Sequence, residues 1–350
     1  MVATQLLPPG LKASLRQLAM THETQRPDAA ARLERARRMI EGGRSLGDPR
    51  TLGYAEALLA PWPDPDTAPP DILVLRATIE QARHQFAQAR KTLDRVLARD
   101  AGHPQALLTR ATVATVTGDY AAARRDCGAL RFQAPDAAAI CLAGVDALTG
   151  EQARALQTLR IATARTQGAL RAWALATAAQ VFEQRGEVDA ALDAYRASLG
   201  IEEDVVTRVA CASLLASQGR HAEARRELLR APPGDAVLLQ RWQIAKALGE
   251  RGDEFRDPLR ERFARAAERG EWMHAREAAQ FALADGRTSE AARLAQRNWA
   301  MQREPADLLI LCNAGQAVDD RAMIREAIRW TNKTGLRDAR LPDICQEKQT

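Results

Sequence analysis

The side chains that most often carry out chemistry are few and scattered in this sequence. Its five histidines lie far apart, at His22, His84, His103, His221 and His274. Of these, His84 and His221 fall at predicted helix turns, and we interpret both as solvent-exposed turn residues. The sequence has no GxxxxGK[ST] loop, no GxGxxG after a strand, no HExxH pair and no GxSxG turn. We therefore expect no catalytic residue, no cofactor and no metal site, and no enzymatic activity.

The five cysteines are also widely spaced. An odd, sparse set argues against a disulfide framework or a zinc site, both of which need close paired spacings. Cys127, Cys141, Cys211 and Cys312 fall at inward positions of predicted helices, and Cys345 lies in a polar tail where we expect it to be exposed. The antiparallel helices that carry Cys127 and Cys141 can bring the two within disulfide distance, but we expect free thiols.

Free thiols favour a cytoplasmic localisation. The first residues, MVATQLLPPG, lack the charged and apolar regions of a signal peptide, and no stretch approaches 18 consecutive apolar residues. The alternative is a periplasmic protein whose signal peptide has been removed.

The charge balance is mildly basic, with 50 basic and 45 acidic residues and a net charge of +5. Arginine and glutamate alternate along predicted helices, which is typical of solvated helix surfaces rather than of one basic face. The excess of arginine over lysine is typical of GC-rich bacterial genomes. A nucleic-acid or regulatory binder that uses the basic excess is the alternative function.

The composition predicts an all-helical protein. Alanine, leucine and arginine dominate, aromatic residues make up only 4%, and the β-branched residues that favour strands are sparse.

Three in-register series of small residues repeat at about 34-residue intervals. The first series, the turn glycines, is Gly118, Gly150, Gly186, Gly219, Gly252 and Gly286. The second lies seven residues earlier, at Ala111, Ala143, Ala179, Ala212, Ala245 and Ala279. The third lies five residues after the turn, at Ala89, Ala123, Ala155, Ala191, Ala224 and Ala291. A glycine permits the left-handed turn between two antiparallel helices, and facing alanines let those helices cross closely. The series therefore predicts stacked helical hairpins that share one continuous core.

One unit departs from this pattern after its turn. The third alanine is missing after Gly252, and Asp257–Pro258 there is typical of a helix N-cap followed by proline at the first helical position. We therefore expect the second helix of that unit to begin late.

The segment ALLTRATVATVTGDYAAARRDCGALRFQAPDA (106–137) resembles a tetratricopeptide repeat, with Ala111, Gly118, Ala123 and Pro135 at that family's positions. AWALATAAQVFEQRGEVDAALDAYRASLG (172–200) matches comparably. The resemblance implies a right-handed α-solenoid of antiparallel helix hairpins with about seven units over residues 70–305.

The regions flanking the array have their own patterns. Residues 11–43 are predicted to be helical, with Pro27–Asp28 marking a start, and another helix is predicted from Asp48–Pro49 to about Leu59. Residues 1–69 as a whole are expected to form a degenerate repeat or cap. They end in PWPDPDTAPP (61–70), in which five of ten residues are proline and which cannot be helical. Residues 306–350 are expected to hold a final helical hairpin, or cap, and a polar tail.

The resemblance also implies a function, the binding of a protein or peptide partner in the concave groove lined by the first helices. Positions that face this groove in the family correspond to Thr78, Gln81, Thr112, Thr115, Gln180, Glu183, Gln184, Ser213, Ser217, Lys246, Glu250, Gln280, Asn313 and Gln316, and one helical turn earlier to Trp242 and Arg276. Lys246, Arg276 and Asn313 do not reproduce the carboxylate clamp of some family members. Hydroxyl and amide groups suit hydrogen bonds to a peptide backbone.

Two further arginines recur at one repeat position, before Ala77 and Ala111. We interpret Arg76 and Arg110 as partners of Asp94 and Asp126 on the following helices; the alternative is a basic ladder for an acidic ligand.

Overall fold

The computed structural model describes residues 29–46 and 50–346, and within them every regular element is helical. The α-helices are, in chain order, α1 (Ala29–Leu46), α2 (Arg50–Leu59), α3 (Pro70–Ala82), α4 (Phe86–Arg99), α5 (Pro104–Val116), α6 (Tyr120–Leu130), α7 (Pro135–Leu148), α8 (Gln152–Arg165), α9 (Gly168–Gln184), α10 (Val188–Ile201), α11 (Val205–Ser217), α12 (His221–Leu228), α13 (Asp235–Ala247), α14 (Asp253–Glu268), α15 (Ala275–Ala284), α16 (Thr288–Met301), α17 (Pro305–Ala317) and α18 (Arg321–Thr334). A 3₁₀ turn, Asp343–Cys345, follows. None of these helices is long and apolar enough to cross a bilayer.

Consecutive helices pair into hairpins, and a residue with positive φ makes the turn in each hairpin of the array. Gly118 (φ 81°) and Gly150 (φ 85°) each lie two residues before a second helix. The residue after the turn donates its N–H to a carbonyl five residues back, as Asp119 does to Ala114 at 2.8 Å. His84 (φ 59°) and Asp319 (φ 52°) take the same place in the first and last hairpins of the array. Five of the six predicted turn glycines, all except Gly252, therefore act as the sequence predicts.

The alanines predicted at the helix crossings are buried. Every alanine of the two series is at most 2% exposed. Most consecutive first helices also contact each other, as α5 does α7, so this side is the inner side of the array. The chain is an all-α solenoid of antiparallel hairpins.

The hairpin α13–α14 corrects the predicted register. Its turn residue is Gly249 (φ 77°), whereas Gly252 lies directly before α14. Seven residues before Gly249 stands Trp242, so a tryptophan and not Ala245 holds the small-residue position. The prediction that α14 begins late at Pro258 is wrong, because α14 begins at Asp253 and Pro258 lies inside it.

In the described chain, two helices precede the array. The predicted helices after Pro27–Asp28 and Asp48–Pro49 are present as α1 and α2, and the part of that prediction on residues before Ala29 lies outside the described residues. The proline-rich segment is a loop that ends where Pro70 becomes the first residue of α3. Arg99 fastens it by donating to the Ala68 carbonyl oxygen at 2.9 Å.

Arg110 forms the predicted ion pair with Asp126 on the following helix, at 2.7 Å. Arg110 also pairs with Asp94 at 2.7 Å, although we expected Asp94 to pair with Arg76. Arg76 instead donates to the Trp62 carbonyl oxygen at 2.6 Å, because the proline-rich loop passes over it.

The two ends of the described chain fold back on the middle of the array. At one end, α1 contacts α11 as well as α3. At the other end, residues 335–346, here called the C-terminal segment, cross the turns of earlier hairpins. The backbone N–H of Ala339 donates to the Gln184 carbonyl oxygen at 2.7 Å, and the amide of Gln152 donates to the Arg337 carbonyl oxygen at 2.7 Å. The solenoid is thus closed by long-range contacts.

The cysteines correct two expectations. Cys127 and Cys141 form a disulfide rather than free thiols, and Cys345 is fully buried in a second disulfide with Cys312 rather than exposed. Closure of the solenoid brings the tail cysteine onto α17, which the polar character of the tail did not indicate. Cys211 is a buried free thiol.

Candidate partner-binding surface

The predicted groove residues fall into a buried group and an exposed group. In the N-terminal half, Thr78, Thr112 and Thr115 are at most 4% exposed, and each hydroxyl donates to a carbonyl oxygen four residues earlier on its own helix. Gln184 is buried as well. These side chains are not accessible to a partner, which corrects the expectation that they line the binding groove.

Glu183 lies on α9 and is already engaged by two other side chains. Its carboxylate accepts a hydrogen bond from the Tyr195 hydroxyl at 2.7 Å and pairs with Arg340 of the C-terminal segment at 2.8 Å. Burial raises the pKa of Tyr195, so the phenol stays protonated as the donor. Glu183 therefore anchors the closure and not a partner.

Arg276 is neutralised inside the protein rather than directed at a ligand. Its guanidinium lies 2.5 Å from Asp307 and 2.5 Å from Glu304. Asp307 is fully buried and also accepts from the amide of Asn298 at 2.6 Å. A buried charge is stable only when it is paired in this way, so Arg276 belongs to the packing between α15 and α17.

Trp242 is also buried, at 3% exposure, because it occupies the small-residue position of α13 and packs against Phe281 with ring centroids 4.9 Å apart.

The remaining predicted residues are accessible to different degrees. Gln81, Gln180, Ser213 and Gln280 are partly buried, whereas Ser217, Lys246, Glu250, Asn313 and Gln316 are exposed.

The exposed group lies on the last turns of α11, α13 and α17 and in the turn after α13. Lys246 donates to the Ala284 carbonyl oxygen at 2.5 Å and lies 5.9 Å from the Trp242 ring centre. The side chains of Asn313 and Gln316 form no hydrogen bond within the part of the chain that the structure describes. The accessible inner face is therefore confined to the C-terminal hairpins.

The side chains with catalytic potential are protected or isolated. Burial raises the pKa of the Cys211 thiol to about 11, which leaves no reactive thiolate. His84 is not a solvent-exposed turn residue, because its turn packs near Arg276 and burial lowers its pKa to about 4. Within residues 29–46 and 50–346, no group of three acidic, histidine or cysteine side chains is placed to hold a metal ion.

Two features went unnoticed in the sequence. A cavity of about 130 Å³ opens between α14, α15 and α16, lined by Phe263, Trp272 and Phe281. It is smaller than sites for drug-sized ligands, which take about 300–1,000 Å³. The outer face of α18 also carries basic side chains at four-residue spacing, a pattern that was visible in RAMIREAIRWTNK.

Solved structures with a similar fold share little sequence with this chain. The APC/C hetero-tetramer Cut9–Hcn1 has a TM-score of 0.52 at 14% identity, over 88% of this chain and 53% of that chain. PilW, a type IV pilus biogenesis factor, has a TM-score of 0.45 at 17% identity, over 56% and 94%. A tetratricopeptide repeat protein from Parabacteroides merdae has a TM-score of 0.41 at 14% identity, over 83% and 98%. No protein-family model and no curated protein sequence matches the chain. The likeness at these identities is one of fold, and that fold is tetratricopeptide-repeat-like.

Proposed function

We propose that this protein is a non-catalytic scaffold that binds a segment of another protein on the inner face of its C-terminal hairpins. The observation that carries the proposal is the contrast along the inner face. Its N-terminal part is buried at Thr78, Thr112 and Thr115, whereas Asn313 and Gln316 on α17 are exposed and have no internal hydrogen bond in the described chain.

The chemistry of the exposed group suits a peptide. Carboxamide and hydroxyl groups donate and accept hydrogen bonds at once, so they pair with backbone N–H and C=O groups of either an extended or a helical segment. Lys246 adds one positive charge, which favours a partner segment with a carboxylate near it. Glu250 already pairs with Arg225 at 2.6 Å, so it contributes little free charge.

Site-specific photo-crosslinking in the native host tests this proposal. A photoreactive amino acid is placed at Gln316 on the inner face or at Gln157, an exposed residue of the outer helix α8 that serves as the matched control. We expect a discrete protein adduct from position 316 and none from position 157. The adduct should weaken when Asn313→Ala and Lys246→Ala are added, because they remove neighbouring contacts.

Two results would contradict the proposal. Equal adducts from positions 316 and 157 would indicate nonspecific proximity. An adduct that survives Asn313→Ala and Lys246→Ala unchanged would place the partner elsewhere. Circular dichroism of each variant establishes that helicity is retained.

We also propose that the protein works in an oxidising compartment, in place of the cytoplasmic localisation favoured by the sequence. The support is the pairing of Cys127 with Cys141 and of Cys312 with Cys345, since disulfides persist in oxidising compartments and are rare in the cytosol.

Thiol titration of unfolded protein from its native host tests the compartment. Two disulfides leave one reactive thiol, Cys211, without reductant, against five after reduction. A count of five without reductant would restore the cytoplasmic interpretation.

A further inference from the structure

The outer face of the last helix, α18, carries four basic side chains in a line. They are spaced four residues apart and all are exposed, and we call them the basic stripe: Arg321, Arg325, Arg329 and Lys333. The opposite face of α18 is buried, through Met323, Ala327 and Trp330. The stripe therefore faces away from the core.

The stripe is regular and largely without counter-charges. Steps of four residues advance about 6 Å along a helix and turn about 40°, so the stripe is about 18 Å long and winds about 120° around α18. Arg329 pairs with Glu326, the only acidic residue of α18, at 2.5 Å. The carboxylate of Asp320 accepts from the N–H groups of its own helix end. Arg321 and Arg325 form no ion pair among the described residues.

Some arginines on other outer helices have counter-charges on a neighbouring element. Three on α12 and α14 are matched by carboxylates, in the pairs Arg225–Glu250 (2.6 Å), Arg262–Asp235 (2.7 Å) and Arg260–Asp285 (3.4 Å). Like charges four residues apart destabilise a helix, and Arg321 in the first turn opposes the helix dipole. The stripe is therefore not accounted for by the stability of α18.

We infer that the basic stripe is a docking surface for an acidic α-helical segment of a partner protein. A helix with carboxylates every four residues has the same rise of about 6 Å per step as the stripe. The two rows align when the helices cross at about 50°, so carboxylates face cations around the crossing point. Guanidinium groups bind carboxylates in a bidentate manner, which fixes register as well as affinity. Among the described elements, α17 and the 3₁₀ turn are the ones that contact α18 extensively.

The surroundings of the stripe favour a protein over other polyanions. Single-stranded nucleic acid needs exposed aromatic rings beside the cations, but Trp299 and Trp330 are at most 5% exposed. A membrane-surface helix needs exposed large apolar side chains, and α18 exposes none. This surface is separate from the inner face, so the inference stands independently of the proposed function.

Fluorescence anisotropy with a designed probe tests the inference on the full chain. The probe is an alanine-rich helical peptide with glutamate at positions 1, 5, 9 and 13, and the control peptide has the same composition in scrambled order. We expect wild-type protein to bind the ordered peptide at least tenfold more tightly than the scrambled one. The affinity should fall as salt is raised, because exposed ion pairs are screened.

Matched variants locate the binding. The stripe variant changes all four cations to glutamine: Arg321→Gln, Arg325→Gln, Arg329→Gln and Lys333→Gln. The control variant removes four charges from other outer helices: Arg225→Gln, Arg226→Gln, Arg260→Gln and Arg262→Gln. We expect at least a tenfold loss of affinity in the first and less than a twofold change in the second. Circular dichroism and thermal melting of both variants monitor folding.

A second variant, in which two cations of the basic stripe become carboxylates, tests the inference even if the stripe variant is unstable. Arg325→Glu with Arg329→Glu should lose the glutamate peptide and gain a peptide with lysine at positions 5 and 9 and glutamate at positions 1 and 13. Equal losses in the stripe and control variants would reduce the effect to net charge and overturn the inference. So would equal binding of the scrambled peptide, no binding of the ordered peptide, or stripe-dependent binding that is tighter to duplex DNA or phosphatidylglycerol vesicles than to the ordered peptide.

Discussion

The residue at the turn of each hairpin has a left-handed backbone, but its surroundings differ along the chain. A methyl group on Gly118 would collide with the ring of Trp330, and one on Gly150 would lie 2.9 Å from the Gly335 carbonyl oxygen. Gly219 has nothing within 4 Å of that position. At Gly118 and Gly150, glycine is therefore required both by the backbone angle and by closure of the solenoid.

The change of Gly118 to alanine should be more destabilising than the change of Gly219 to alanine. Both variants incur the cost of a left-handed non-glycine residue, about 1–2 kcal/mol. Gly118→Ala adds overpacking against Trp330, about 1–3 kcal/mol. Urea unfolding of both variants measures the difference, and equal losses would contradict the contact between this turn and α18.

His84 predicts a pH dependence of stability. Burial lowers the pKa of His84 to about 4, and the positive charges of Arg276 and His274 act in the same direction. The negative charge of Glu304 opposes this shift but is the smallest of these effects. An unfolded histidine titrates near 6.5. The contribution of His84 to stability is therefore complete above pH 6.5 and is lost as the pH falls towards 4, because the unfolded chain takes up the proton first.

The variant His84→Asn tests this dependence, because asparagine tolerates the positive φ of the turn and does not titrate. We expect the melting temperature of the wild type to fall more steeply than that of the variant between pH 6.5 and 4. Parallel pH profiles would show that His84 does not titrate in that range.

At the scale of the element, each hairpin depends on a close crossing of its two helices. Ala179 on α9 and Ala191 on α10 are both fully buried at the crossing. Where a large residue takes this place, as Trp242 does on α13, the next first helix supplies Phe281 to pack against it. The small residues are therefore a local solution that each hairpin requires unless its neighbour compensates.

Enlarging a crossing alanine should destabilise its hairpin. Ala179→Leu and Ala191→Leu should each cost roughly 1–3 kcal/mol through overpacking. Ala300→Leu, on the exposed face of α16, is the matched control and should change stability by less than about 0.5 kcal/mol. Hydrogen exchange should show the loss first in α9 and α10. Unchanged melting in both crossing variants would count against the helix register.

At the scale of the whole molecule, the C-terminal segment closes the solenoid. Repeat proteins are commonly described by contacts between neighbouring units alone. Here Arg340 reaches Glu183, and the N–H of Arg303 donates to the Val116 carbonyl oxygen at 2.7 Å, across more than a hundred intervening residues in each case. The disulfide Cys312–Cys345 fastens the end of the segment to α17.

Removing that disulfide should open the closure while leaving the hairpins folded. Cys345→Ser is expected to reduce stability by roughly 2–4 kcal/mol and to raise hydrogen exchange at Ala339, whose N–H binds the Gln184 carbonyl oxygen. Cys127→Ser, which breaks the other bridge, is the control and should leave exchange at Ala339 unchanged. Equal protection of Ala339 in wild type and Cys345→Ser would show that the segment is held without the disulfide.

The sequence by itself determined the hairpin unit and nearly all of its register. A left-handed turn and a close helix crossing are local demands that only a few residue types meet, so Gly118, Gly150 and the alanines at the crossings mark them directly. The register of α13 was ambiguous because Gly249 and Gly252 both fit a turn. Only the packing of Trp242 against Phe281 in the folded protein sets the register of this helix.

The tertiary structure alone decided which parts of the surface remain accessible. Small rotations between successive hairpins add up until the two ends of the described chain reach its middle. No local sequence pattern encodes the sum of these rotations. It buries Cys345 and engages Glu183, while Asn313 and Gln316 stay exposed. Accessibility is a property of the closed superhelix, and for that reason the groove residues could be placed on helices from the sequence but not sorted into free and occupied ones.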